Sequence, residues 1–149
     1  MKIINRKFHR EYQELEKYEV GIVLNGAEVK SIREGRLKLE DAFVKILGSE
    51  AFLVNAQIPL YEYARIPGYD LKRSRKLLLH KKELLRLKTK IVGGGSLTLA
   101  PLSCYNKGDL IKLEIALVKG RKDTEKRRLE KKRDIVRNEK REAKEYMRK

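Results

Sequence analysis

The chain has 149 residues, with 37 Lys and Arg against 21 Asp and Glu, for a formal net charge of +16. This length suits one compact domain with an appendage and excludes two full domains. The charged fraction of 39% is well above the ordinary share of roughly 25%, and a positive excess of this size is neutralised most readily by RNA, DNA or an anionic membrane.

The membrane alternative weakens along the chain. No apolar run approaches the ~18 residues of a spanning helix, and Met1 to Arg10 lacks the apolar stretch of a signal peptide. The basic C-terminal segment has no Trp, Phe and Leu face for an interfacial helix to bury. Cys104 is alone, so no internal disulfide framework is expected. With His9 and His80 the sole histidines, a zinc site would need an unusual carboxylate-rich ligand set. The expectation is a cytoplasmic protein without metal, cofactor or membrane partner.

In chain order, Gly21–Leu24, Ala42–Leu47 and Ala51–Val54 have strand-like content, and Leu47-Gly-Ser-Glu50 between the last two has hairpin-turn chemistry. A helix is predicted over Ala27–Glu34, with Asn25 as its N-cap. Arg73, Arg75, Lys76, His80, Lys81 and Lys82 crowd around Leu77-Leu-Leu79. If that trio anchors the segment as a strand or as the entry to the next helix, its cations face outward and suit phosphate. Lys81–Lys90 reads as a helix stopped by Gly93-Gly-Gly95. Ser96–Ala100 and Leu110–Leu117 alternate with period two, and Asn106-Lys-Gly-Asp109 between them is a second turn. Many short strands with a few helices fit a small closed barrel, for which the OB-fold is matched in size.

Gly120 marks a change of character. Residues 121–149 hold fourteen Lys or Arg, seven Asp or Glu, and no Gly or Pro. Leu129, Ile135, Val136, Tyr146 and Met147 make no apolar stripe, so this segment buries no helical face in a core. It is rich in helix formers and is expected to be disordered when free and helical on a partner. A domain over residues 1–120 and a tail over 121–149 follow.

Catalysis finds little support. His9 and His80 offer a general acid and base in principle, with Glu19 assisting, but two histidines far apart in sequence are a weak signal. The glycine triplet lacks the Lys-Ser/Thr of a phosphate loop. The residues read as those of a binder, not an enzyme. Tyr12, Tyr18, Tyr61, Tyr63, Tyr69 and Tyr105 are candidates to stack on unpaired bases, and spacing singles out none of them.

Ordered blocks along nearly the whole chain resemble the SsrA-binding protein (SmpB) family. They are Asn5-Arg-Lys7 with His9 and Tyr12; Tyr18-Glu-Val-Gly21; Asn25-Gly-Ala-Glu-Val-Lys-Ser-Ile-Arg33; and Glu50-Ala-Phe-Leu53 with Asn55 and Pro59-Leu-Tyr61. Arg75-Lys-Leu-Leu-Leu-His-Lys-Lys-Glu83 is the most distinctive. Leu97-Thr-Leu99, Pro101-Leu102, Tyr105, Lys112-Leu-Glu-Ile-Ala-Leu117 and Lys119-Gly-Arg-Lys122 follow, with Glu125-Lys-Arg127 and Lys131-Lys-Arg-Asp134 in the tail. Thr124 stands where the family usually has an aromatic or His, Gln57 where His is frequent, Ala42 where Ser is frequent, and Glu125 where Asp is frequent.

The resemblance implies a mainly β, OB-fold-like closed barrel with about three short flanking helices and a basic tail that becomes helical on the ribosome. It implies binding to the tRNA-like domain of transfer-messenger RNA (tmRNA, SsrA RNA). With elongation factor Tu, the protein would deliver alanylated tmRNA to stalled ribosomes for trans-translation. The RNA-binding residues carried over are Asn5, Arg6, Lys7, Glu19, Lys30, Arg75, Lys76, Leu78, His80 and Lys81. Those of the tail, expected at the decoding centre and in the empty mRNA channel, are Arg121, Lys122, Glu125, Lys126, Arg127, Lys131, Lys132, Arg133 and Asp134.

Overall fold

The computed structural model describes residues 1–148. In chain order its elements are β1 (Lys2–Ile4), α1 (Phe8–Glu11), β2 (Tyr12–Ile22), α2 (Gly26–Arg33), β3 (Phe43–Leu47), β4 (Glu50–Val54), β5 (Arg75–Leu78), α3 (Lys81–Val92), β6 (Leu97–Lys107), β7 (Leu110–Gly120) and α4 (Asp123–Arg148). The two hairpin turns lie where Gly48 and Gly108 supply positive φ, each at 61°. Asn25 caps α2 through a reciprocal capping box with Glu28, as residue type and spacing predict.

All strand pairs are antiparallel, in the order β1-β6-β3-β4-β5-β2-β7. Pairing of β6 with β7 joins the far side of that series back to β6, so six strands form a closed ring and β1 lies beside β6. Closure leaves the six without a free edge, which is the OB-fold-like barrel expected from the short alternating strands. Three short helices, α1 to α3, flank it.

Two register shifts shape the barrel. In β6 the shift falls between Pro101 and Ser103. Consequently Leu99 and Cys104 both join the main core although their numbers differ in parity. In β2 the shift falls between Glu14 and Glu16, and Leu15 is left 46% exposed. The main core collects Val20, Val44, Leu53, Leu77, Leu99, Leu113, Ile115 and Leu117 from the strands, together with Ile32 of α2 and Leu84 and Leu87 of α3. A smaller cluster on the other face of β6 and β7 packs Phe8 of α1 against Ala100, Leu102, Ala116 and Val118. These two strands are thus buried on both sides.

The segment between β4 and β5 is secured by a buried ion pair. Arg75 Nη2 lies 2.6 Å from Glu28 Oε2, both side chains are inaccessible to solvent, and Arg75 Nε donates to the same oxygen at 2.8 Å. Arg75 also donates to the carbonyls of Ala56 (2.8 Å) and Leu71 (3.1 Å). Glu28 further accepts from Arg73, from Tyr69 Oη and from the Asn25 N–H. Burial pushes the Glu28 carboxyl up, but the Asn25 N–H and the Arg75 and Arg73 guanidiniums outweigh it and hold it below its ordinary value. The predicted outward placement of Arg75 is therefore corrected: in β5 it alternates inward with Leu77, while Lys76 and Leu78 point out.

α4 is one helix of 26 residues, about 40 Å long. Its first turns rest on α1. The Arg121 N–H donates to Glu11 O, and Arg121 Nε donates to His9 O (3.0 Å) and Tyr12 O (3.2 Å). Lys126 pairs with Glu11 at 2.8 Å, Arg10 pairs with Glu130, and Leu129 is half-buried. From Lys131 to Met147 every side chain is exposed. No described residue of α4 is buried or joins either core cluster; its first turns meet α1 through partly exposed ion pairs.

Candidate nucleic-acid interface

Directly opposed residues of antiparallel strands share a face of the sheet, so the register assembles rows around the barrel. One outward row runs Lys2, Tyr105, Lys112, Gly21, Leu78 across β1, β6, β7, β2 and β5. Lys112 must point outward because Ile111 and Leu113 on either side are buried. Leu78, 55% exposed, leans over Gly21, where an added Cβ would lie 3.3 Å from its Cβ and Cδ1. A glycine here allows a bulky apolar side chain to lie flat on the barrel wall.

Glu19 sits beside this row. Its carboxylate accepts from Tyr105 Oη and pairs with Lys107 at 2.9 Å. Those two donors, Tyr105 first, hold Glu19 below the usual carboxylate range. Burial and the Glu19 carboxylate push the Tyr105 phenol up to about 12. Glu19 is therefore an anion within a cationic belt, suited to accept from a base N–H or a ribose 2′-hydroxyl while the lysines meet phosphates. Lys76, 45% exposed and 3.2 Å from Glu50, borders the belt. A shallow hollow of about 250 Å³ lined by Lys76, Leu78, Lys81 and Glu50 continues it toward α3. His80, exposed, occupies the N-cap position of that helix without a side-chain capping bond.

The structure thus brings together Glu19, Lys76, Leu78, His80 and Lys81. It separates other predicted residues from them. Asn5 is 4% exposed and serves the fold, since its Nδ2 donates to Pro101 O at 2.9 Å and its Oδ1 accepts from the Lys7 N–H. Arg6 and Lys7 line an open groove of about 920 Å³ with Lys2, Arg33 and Lys38. Lys30 of α2 lies 5.1 Å from the centre of the Tyr61 ring, in cation–π range. In the tail, Lys122 just ahead of α4 and Glu125, Arg127, Lys131, Lys132, Arg133 and Asp134 within it are exposed, whereas Arg121 and Lys126 are engaged as described. Tyr105, Lys107 and Lys112 join the belt although the sequence does not single them out as RNA contacts. Outward alternation marks Lys112 in the sequence, but only strand register brings Tyr105 and Lys107 beside Glu19.

The two histidines lie on different elements, His9 in α1 with its ring edge-on to Phe8 and His80 ahead of α3. Among the described residues no group of three or more His, Cys, Asp or Glu converges as a metal set, and no helix is long and apolar enough to cross a membrane.

A sequence profile of the family described as "SmpB protein" matches residues 2–145. A protein of Sulfurihydrogenibium sp. (strain YO3AOP1) named SsrA-binding protein is 50% identical over 133 residues, covering 89% of this chain and 87% of the relative. One of the same name from Coprothermobacter proteolyticus is 47% identical over 148 residues, covering 97% and 98%. A chain of a solved structure described as "tmRNA-SmpB: a journey to the center of the bacterial ribosome" is 41% identical with a TM-score of 0.67, covering 82% of this chain and 85% of its own.

Proposed function

This chain belongs to the SsrA-binding protein (SmpB) family, and from that premise we propose that it is a non-enzymatic factor that binds tmRNA on the outer belt of its barrel. The relatives' shared name and the tmRNA–SmpB structure support tmRNA and the ribosome as partners. The observation that carries the reading is the belt itself. Lysines for phosphate, a flat apolar Leu78 and an anionic Glu19 lie on adjoining strands of one wall. Phosphate contacts supply affinity and register; Leu78 and Glu19 supply a surface that discriminates one folded RNA from another.

In the finer proposal, the protein works with elongation factor Tu in the cytoplasm to deliver alanyl-tmRNA to stalled ribosomes. The free tail from Lys131 onward enters the vacant mRNA channel, where Lys131, Lys132 and Arg133 meet ribosomal RNA. The tail beyond the α1 contact exchanges between frayed and helical states when free and becomes fully helical when bound. The length and full exposure of this part of α4 support that division.

The test compares binding of tmRNA and of an ordinary tRNA at matched physiological salt, followed by an RNA integrity check. A clear preference for tmRNA with intact RNA supports the proposal. Equal affinity would point to a generic OB-fold RNA binder, and released fragments to a ribonuclease.

A further inference from the structure

We infer that the outer face of β3, β4 and β5 carries a stacking subsite for an unpaired RNA base, with Phe52 as the platform and Lys45 and Lys76 gripping the flanking phosphates. The inference rests on the RNA-binding reading above and extends it from Lys76, which borders the belt, to Phe52 of β4 and Lys45 of β3, which that reading does not use.

Alternation fixes the direction of these side chains. Val44, Ala51, Leu53, Arg75 and Leu77 are buried, so Phe43, Lys45, Leu47, Glu50, Phe52, Val54, Lys76 and Leu78 face out. Register places Lys45 opposite Phe52 and Phe52 opposite Lys76, giving a lateral row of lysine, phenylalanine, lysine. Phe52, Phe43 and Val54 belong to neither core cluster; Phe43 is 41% exposed and Phe52 is half-buried. A wall that met only water would carry polar residues at these positions. Among the described residues Lys45 makes no ion pair, and the sole acidic member of the face, Glu50, is held by Lys76.

The occupant follows from charge and continuity. Flanking lysines of one sign favour a polyanion over an apolar protein surface. The two lysines stand on strands two apart, about 10 Å between backbones, and their long stems let the ammoniums reach the phosphates on either side of one base. An aromatic ring between two such cations is the arrangement that holds single-stranded nucleic acid without reading its sequence. On the same face Leu47 opposes Glu50, and Leu78, two residues beyond Lys76 in β5, opposes Gly21 of the belt, so bound RNA can pass from the subsite to the belt along β5.

The experiment uses the full chain and two probes. One is a short single-stranded RNA carrying 2-aminopurine, which reads stacking; the other is tmRNA beside tRNA, which reads the proposed function. Phe52→Leu keeps apolar cover and removes the ring. It should weaken single-strand binding about tenfold, leave the salt dependence unchanged and abolish the stacking signal. Phe52→Tyr should bind like the wild type. Lys45→Gln, on an exposed position, should lower the log–log salt slope by about one unit. Undiminished single-strand binding by Phe52→Leu, an equal loss in Phe52→Tyr, or an unchanged slope for Lys45→Gln would overturn the subsite; the first result would leave the strip to a protein partner. If Phe52→Leu fails to fold, the wild-type stacking signal and the Lys45→Gln slope decide. A wild type without preference for tmRNA would overturn the proposed function, while the single-strand results would still judge the subsite.

Discussion

The segments Arg73–Lys82 and Arg121–Arg133 are both dense in cations, yet the backbone gives that charge different uses. In the first, strand alternation divides neighbours between two environments: Arg75 enters the core against Glu28, and Lys76 faces out beside Leu78. In the second, a helix that faces no core leaves almost every cation in water, except where α1 offers a carboxylate to Lys126 and, just ahead of the helix, the carbonyls of His9 and Tyr12 hold Arg121. A cation's role thus depends on the period of the backbone carrying it and on what lies opposite, rather than on local charge density.

The largest effect should come from breaking the buried pair. Arg75→Ala leaves Glu28 charged and without its main partner, and should cost about 3–5 kcal/mol in urea unfolding. A tail substitution such as Arg128→Ala should stay within about 0.5 kcal/mol. A small loss at Arg75 would erase the contrast between the segments. The same pair sets the acid limb of stability. Glu28 titrates lower when folded than when unfolded, so its contribution is fully present above the unfolded value of roughly 4.3. That contribution is lost as pH falls through the folded value. Unfolding followed from pH 6 downward should therefore steepen below about pH 4 in the wild type and less so in Glu28→Gln, even though the variant is less stable at neutral pH.

On the belt, neutralising Lys76 and Lys112 together should weaken tmRNA binding and reduce the salt slope by about two units. A slope unchanged from wild type would remove both residues from the interface. The smallest effect concerns the α1 contact. The Lys126–Glu11 pair is partly exposed, so Glu11→Gln should alter global stability by only about 0.2–1 kcal/mol. Amide exchange should nevertheless quicken over residues 123–130 while remaining unchanged beyond Lys131. Quickening along all of α4 would show that its far part depends on the docking.

Much of this organisation is legible in the sequence. Asn25 with Glu28 announces α2, the glycines at 48 and 108 announce the hairpins, and the Gly93–Gly95 run closes α3. Of the long β2 the sequence pattern reveals only Gly21–Leu24, because Glu14 and Glu16 occupy two of the alternating half-buried positions between Tyr12 and Val20, so no apolar alternation shows there. Local pattern points Arg75 outward because its partner Glu28 lies 47 residues away, a pairing that no neighbouring residue signals. Tyr105 and Lys107 reach Glu19 across strands, and Arg121 reaches backbone carbonyls, which have no signature in side-chain identity. What stays hidden depends on register and on main-chain partners, which the fold supplies.

The division between a barrel that binds RNA and a tail that acts on the ribosome is tested most directly by reversing Lys131 and Arg133 in the full-length chain. Both lie beyond the α1 contact, and both are exposed. Two quantities should be measured on the same preparation: affinity for tmRNA at physiological salt, and peptide tagging on stalled ribosomes. The expected result is tmRNA affinity within a few-fold of wild type with tagging lost, because an RNA-walled channel repels acidic side chains. Normal tagging, or a loss of tmRNA binding as large as the loss of tagging, would contradict the account.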